Sequence, residues 1–123
     1  MGDLLGAMAK KMVHKYSSHG EAYKAVKEAI FSTMGIRLAG SKPVDAIPQL
    51  MADPEFRYYP EIKKGHDLIP LPAGAVVVWG ATENDPEGHI SIALGDGTEA
   101  SDHMKPQLTS RHGRVNISVF MPV

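Results

Sequence analysis

Apolar and polar positions alternate with a period of two in the second half of the chain. Residues 89–94, HISIAL, show this alternation, which is typical of a strand with two unlike faces. Gly95-Asp96-Gly97 then provides a turn, since Asp-Gly tolerates the positive φ angles of hairpin loops. The pattern predicts a β-hairpin over residues 88–103. A three-residue loop puts the returning residues Glu99, Ser101 and His103 on the face that carries His89.

Helical spacing of apolar positions dominates the first half. It predicts an amphipathic helix over residues 1–17 and a second helix over residues 18–35. Ser18 followed by Glu21 forms a capping box, and Gly35 is a typical C-terminal glycine. Ala22 lies in the first turn of the second helix. Free backbone N–H groups and the helix dipole at such a position would lower the pKa of a thiol.

Weaker patterns connect these two regions. Residues 44–51 predict a short third helix limited by Pro48, and residues 53–67 predict an irregular surface connection. Residues 75–79, AVVVW, predict a strand buried on both faces, with Trp79 in the core, and residues 114–122 predict a closing strand. The β-sheet is thus expected over residues 71–123. We expect one domain, 1–123, of the α+β class, with N-terminal helices packed on an antiparallel β-sheet meander.

Composition removes several classes of function. Thirteen Lys and Arg residues against fourteen Asp and Glu residues give a net charge of −1, which predicts no nucleic-acid partner. No apolar run is long enough for membrane insertion, and the N-terminus lacks a signal-peptide pattern. The absence of cysteine excludes disulfides, thiolate zinc sites and a thiol nucleophile in this chain. No cofactor is expected.

Four segments in this order resemble one known superfamily. They are HGEAYKAVKEAI (residues 19–30), LPAGAVVVW (71–79), GHISIALGDGTEASDH (88–103) and VFMP (119–122). Together they resemble the papain-like NlpC and CHAP superfamily of cysteine amidases and endopeptidases, many of which cut bacterial peptidoglycan. The resemblance implies that fold type, and it implies a cysteine that opens the helix, a histidine base and a third polar residue that orients the histidine.

Carried over residue by residue, the resemblance assigns the base to His89 and the nucleophile position to Ala22. The third residue aligns best with Ser101 by spacing, and Glu99, Asp102 and His103 lie close by. We favour Glu99 because a carboxylate best stabilises an imidazolium. The choice among the four stays open at this point.

Ala22 departs from the family pattern. Because a methyl group cannot attack a carbonyl, the chain as written is expected to be inactive. Either the chain is a natural non-catalytic relative that binds a cell-wall peptide or a partner, or a nucleophile has been replaced, by a cysteine-to-alanine substitution at position 22. The intact surroundings favour replacement. A metal site formed by His89, His103 and Glu99 is a weaker alternative on ligand type.

The resemblance also implies partners and a location. The substrates would be peptidoglycan stem peptides. The protein would be a phage lysin or a secreted antibacterial effector that acts on the cell wall, in the periplasm or outside the cell, without a recognisable signal peptide. An effector of this kind implies an immunity protein that blocks the cleft.

Overall fold

The computed structural model describes residues 1–15, 21–61, 71–83, 86–106 and 116–123. All of the described helices precede the described strands. The helical elements are α1 (Gly2–Lys15), α2 (Ala22–Met34), a 3₁₀ turn (Pro43–Asp45) and α3 (Ala46–Ala52). The strands are β1 (Phe56–Tyr58), β2 (Val76–Trp79), β3 (His89–Ala93), β4 (Thr98–Ala100), β5 (Met104–Pro106) and β6 (Ile117–Pro122).

The described strands form one antiparallel sheet in the order β1-β6-β2-β3-β4-β5. Strands β2 to β5 make a meander in which each strand pairs with the next. Strand β6 returns to the other edge of β2, and β1 pairs with its far side. The helices pack against this sheet, so the predicted α+β class is confirmed.

Two apolar cores share the sheet, one on each face. The helix-side core consists of Leu5, Ala9, Tyr23, Val26, Ala29, Ile30, Leu38, Ala46, Leu50, Phe56, Val76, Val78, Ile90, Ile92, Ala100 and Phe120. The second core consists of Leu71, Ala75, Val77, Trp79, Ala93, Ile117 and Val119. Strand β2 contributes alternate residues to both cores and is fully buried along its length. The predicted burial of this strand on both faces is therefore confirmed.

Helix α2 is shorter than the predicted 18–35 and begins at Ala22. Glu21 occupies the N-cap position and makes no side-chain capping hydrogen bond. The predicted capping residue Ser18 lies outside the described residues. At the other end Gly35 adopts a φ of 72° and its N–H donates to the Phe31 carbonyl at 2.9 Å. The predicted terminal glycine is confirmed. No described helix is long and apolar enough to cross a membrane.

The segment after α2 differs from its prediction in two ways. Pro48 does not limit a helix but lies in the first turn of α3, where a missing N–H leaves no intrahelical bond unmade. Residues 56–58, expected to be irregular, form the edge strand β1, with Phe56 opposite Pro122 and Tyr58 opposite Phe120.

A hydrogen-bond network that the sequence did not reveal ties this segment to α2. The Tyr23 hydroxyl donates to the Ala39 carbonyl at 2.7 Å. Gln49 Nε2 donates to the carbonyls of Ala39 and Asp45 at 2.9 and 2.7 Å, and Gln49 Oε1 accepts from the Ala39 N–H at 2.7 Å. Burial raises the pKa of Tyr23, which keeps the phenol in its donor form. The network fixes the residue next to position 22.

Candidate active site

The β3–β4 hairpin has the predicted register. Ala93 pairs with Glu99 and Ile92 with Ala100, and Leu94 N–H donates to the Thr98 carbonyl at 3.0 Å. This is the pairing expected for a loop of Gly95, Asp96 and Gly97. It places Glu99 on the face of the sheet that carries His89 and Ala93.

Asp96 is accounted for by the turn. Its Oδ1 accepts hydrogen bonds from the Thr98 N–H at 3.0 Å and from the Thr98 hydroxyl. These bonds lower the pKa of Asp96, because they stabilise the carboxylate. The flanking glycines have φ angles of 87° and 88°, as a reversal of this kind requires. Asp96 therefore needs no catalytic role.

His89 opens β3 and contacts Glu99. His89 Nε2 lies 3.4 Å from Glu99 Oε2, a long distance for a hydrogen bond. The His89 side chain is 12% exposed and the Glu99 side chain is fully buried. The Trp79 ring packs beside the imidazole, with 5.2 Å between centroids. The structure thus brings together His89 and the favoured one of its four candidate partners, whereas the catalytic roles of both residues stay predictions.

Gly88 positions His89 at the start of its strand. It is buried and has a φ of 77°, a conformation that side chains rarely adopt. A Cβ atom here would lie 2.4 Å from the Trp79 carbonyl oxygen and 2.6 Å from Val44 Cγ1. Only glycine fits between β2 and the 3₁₀ turn at this point.

The other candidates after Gly97 do not continue the strand. The returning strand was expected to run to His103, but β4 ends at Ala100 and residues 101–103 form a turn into β5. The Ser101 N–H donates to the His103 carbonyl at 3.0 Å and closes this turn. The expectation that Ser101 and His103 share the strand face of His89 is therefore wrong. A second chain reversal intervenes, and its sequence lacks the glycine or proline that commonly marks one.

Asp102 joins this turn to the start of α2. Its Oδ2 accepts from the Glu21 N–H at 3.3 Å. Its Oδ1 accepts from the Ser101 hydroxyl at 3.2 Å and lies 3.1 Å from His103 Nδ1. Burial by itself raises the pKa of Asp102, but the bonds from His103 and from the Glu21 N–H outweigh it and hold the pKa below the ordinary value. Asp102 is therefore a buried, hydrogen-bonded carboxylate at neutral pH.

Ala22 and His89 belong to different surroundings. Ala22 is partly buried and packs against the helix-side core. His89, the first residue of β3, is paired with Trp79, whose side chain belongs to the second core. At the start of α2, the Glu21 N–H donates to Asp102. The predicted approach of Ala22 to the His89 ring stays a prediction.

Two buried donors on the His89 face were not recognised from the sequence as site residues. Within the described part of the chain, Trp79 Nε1 and Ser91 Oγ are buried without a hydrogen-bond partner. Each such group costs about 1–3 kcal/mol, so native structures keep few of them. From the sequence, Trp79 is expected in the core rather than as a substrate platform, although its place at a strand end allows both. For Ser91 the sequence did contain a signal, because the alternation of residues 89–93 puts Ser91 on the same face of the strand as His89.

The metal alternative requires His89, His103 and Glu99 to converge. His89 contacts Glu99, whereas His103 lies in the turn and contacts Asp102. Over the described ranges, no three His, Asp or Glu side chains are arranged to hold a metal ion. These contacts give the metal alternative no support.

No family model matches this sequence, and no curated protein matches it. Two solved structures from Ralstonia pickettii resemble it. A chain of the type VI native effector–immunity complex Tae3–Tai3 is 22% identical with a TM-score of 0.67, and the alignment covers 96% of this chain and 98% of that chain. A chain of the selenomethionine form of that effector–immunity complex is 23% identical with a TM-score of 0.69, over 94% of this chain and 97% of that chain. At this level of identity the likeness establishes a common fold over nearly the whole length of both chains.

Proposed function

We propose that this chain is the scaffold of a cysteine-type peptidoglycan amidase or endopeptidase, of the papain-like NlpC/CHAP type, with its nucleophile position at Ala22. The observation that carries the proposal is the His89–Glu99 pair at the start of β3. Contact of Glu99 with Nε2 leaves Nδ1 as the nitrogen that can exchange a proton with a nucleophile. In this proposal Glu99 orients the base, and the start of α2 supplies the nucleophile position.

The chemistry requires a thiol at position 22. The thiolate would attack the carbonyl carbon of a stem-peptide amide, and its electron pair would form the C–S bond. The protonated imidazole would then give its proton to the departing amine, and water would hydrolyse the acyl-enzyme. Free N–H groups in the first turn of α2 would stabilise the oxyanion. The methyl group of Ala22 has no electron pair that could attack the carbonyl, so the present chain is expected to bind substrate without cleaving it.

The fold neighbours support an effector role. Both are chains of complexes described as type VI effector–immunity complexes. In this proposal the present chain is likewise an antibacterial effector that reaches the cell wall of a competitor, and an immunity protein protects the producing cell.

A second candidate is a non-catalytic domain that binds a cell-wall peptide or a partner protein. Ala22 itself favours this candidate, because nothing in the chain replaces the missing thiol. The two candidates make opposite predictions for a restored cysteine.

The test is Ala22→Cys, incubated with purified sacculi and followed by detection of released muropeptides. We expect release where the present chain gives none, and faster reaction with iodoacetamide than free cysteine shows. Ala22→Ser is the matched control, since it adds an oxygen of similar size that one histidine activates poorly, and it should release nothing. A folded Ala22→Cys protein that neither releases muropeptides nor reacts faster than free cysteine would leave the binding domain as the function.

The base is identified in the same background. Adding His89→Ala should reduce activity by at least 100-fold, the usual contribution of a general base. Adding His103→Ala is the comparison, because His103 is the other imidazole paired with a carboxylate in this region. If the second change abolished activity and the first did not, His103 would be the base and the assignment of His89 would be wrong.

A further inference from the structure

We propose that Asp102 is a positioning residue for position 22, and that Glu99 is the carboxylate that orients His89. The proposal rests on the proposed function and adds a division of roles between two carboxylates that lie three residues apart. From the sequence, both were candidates for the same role, that of orienting His89. The described contacts separate them, because β4 ends between the two.

The contacts of Asp102 leave its carboxylate little freedom. One oxygen accepts from the Glu21 N–H at 3.3 Å, and the other lies 3.2 Å from Ser101 Oγ and 3.1 Å from His103 Nδ1. The side chain is 11% exposed. Glu21 immediately precedes the first residue of α2 and makes no side-chain capping bond of its own. A carboxylate 81 residues further along the chain therefore binds the backbone beside position 22.

This contact has two consequences for a side chain at position 22. It ties the first turn of α2 to the β4–β5 turn, so it fixes where a nucleophile would lie relative to the hairpin. It also brings a negative charge close to the helix N-terminus. That charge opposes the local field that lowers the pKa of a thiol. Asp102 would thus hold a nucleophile in place, but it would also make the pKa of a thiol at position 22 higher than it would be without the charge.

These consequences are separable by substitution in the Ala22→Cys background. Asp102→Asn keeps an oxygen that accepts from the Glu21 N–H and removes the charge. Asp102→Ala removes both. Asp96→Asn is the matched control, because Asp96 is a hairpin-turn aspartate whose described bonds go to Thr98 rather than to α2.

Two measurements report on the role without requiring hydrolysis. The first is the rate of thiol alkylation by iodoacetamide between pH 5 and 10, which gives the thiol pKa. The second is hydrogen exchange of the backbone amides at the start of α2. For Asp102→Asn we expect a lower thiol pKa, with about two- to fivefold more thiolate at neutral pH, and unchanged exchange. For Asp102→Ala we expect at least tenfold faster exchange at the start of α2, and muropeptide release reduced more than for Asp102→Asn.

The proposal is overturned if Asp102→Ala leaves both exchange and the thiol titration as they are with Asp102 present, or if Asp96→Asn changes them equally. It is also overturned if Asp102→Asn raises the thiol pKa. Absence of muropeptide release from every variant would count against the proposed function only, because alkylation and exchange would still report on Asp102.

Discussion

Glu99 and Asp102 lie three residues apart, yet they face different neighbours. Glu99 is held within β4, where pairing with Ala93 fixes its face, and it is fully buried beside His89. Asp102 lies in a turn, so its side chain is free of the sheet's alternation and reaches α2. The same residue chemistry therefore has two different surroundings, and the difference is set by where the strand ends.

The pKa of Asp102 gives a prediction for acid stability. Its pKa in the folded protein lies below the ordinary value of 3.8, so the ionised form favours the folded state. The contribution is fully present above that ordinary value and is lost as the pH falls through the folded-state pKa. We expect Asp102→Asn to reduce stability at pH 7 and to flatten the loss of stability between about pH 4 and 2. Urea unfolding at a series of pH values measures both effects.

Neighbouring substitutions provide a graded control for this prediction. His103→Ala removes the stronger of the two side-chain bonds that lower the pKa of Asp102, and Ser101→Ala removes the weaker one. The acid dependence should therefore flatten more with His103→Ala than with Ser101→Ala. If the free energy of unfolding fell equally with pH in Asp102→Asn and in the unchanged chain, the ionised form of Asp102 would not be stabilising the folded state.

Single residues were predictable where a local rule decides them. The two-residue period and the Gly95–Gly97 loop together fixed the register that puts Glu99 on the His89 face. The end of β4 was not predictable in this way, because the Asp102 side chain in the turn accepts a hydrogen bond from Glu21, 81 residues earlier in the chain. The contact of Asp102 with Glu21 depends on the folded arrangement of both halves of the chain.

At the scale of elements, strand β3 depends on the glycine that precedes it. We expect Gly88→Ala to destabilise the protein by well over the roughly 1 kcal/mol that a positive φ angle alone costs. The added Cβ would also lie 2.4 Å from the backbone oxygen of Trp79, which cannot move without disturbing β2. Since His89 follows directly, its ring should be displaced as well. Thermal unfolding and the His89 ring resonances in NMR spectra measure the two effects.

Gly97→Ala is the matched control for Gly88→Ala. Gly97 has a φ of 88°, close to that of Gly88, but a Cβ at Gly97 would meet nothing within 4 Å. Gly97→Ala should therefore lose only the stability that the strained backbone conformation costs, and the His89 resonances should stay in place. If the two variants lost equal stability, close packing around Gly88 would not be the reason for a glycine there.

Helices and strands were predictable where neighbouring residues determine them, and were missed where pairing with a distant segment determines them. The apolar spacing of α2 and its terminal glycine are properties of adjacent residues, and both appear in the structure. Strand β1 is three residues long, which is too short for a period of two to be evident. It exists because Phe56 and Tyr58 pair with β6, more than 60 residues away, and because the Tyr58 ring packs 5.3 Å from that of Phe120. No local pattern encodes a pairing of this kind.

At the scale of the whole molecule, one sheet separates two cores that contain very different elements. The helix-side core joins α1, α2 and α3 to the sheet. The second core contains the single tryptophan of the chain, Trp79, which is fully buried. Since β2 supplies alternate residues to both cores, loss of packing in one core should disturb the strand on which the other core is built.

The two cores should therefore unfold together, and adjacent valines of β2 allow a matched test. Val77 belongs to the second core and Val78 to the helix-side core, and both are fully buried. Each change to alanine should cost about 2 kcal/mol, from lost apolar contact and the cavity left behind.

Urea unfolding followed by Trp79 fluorescence reports on the second core, and far-UV circular dichroism reports mainly on the helices. For both variants we expect the two signals to keep a common midpoint, shifted to lower urea, with an unchanged slope. If Val77→Ala moved the fluorescence midpoint and left the helical signal where it was, the second core would unfold independently, and β2 would not couple the two cores.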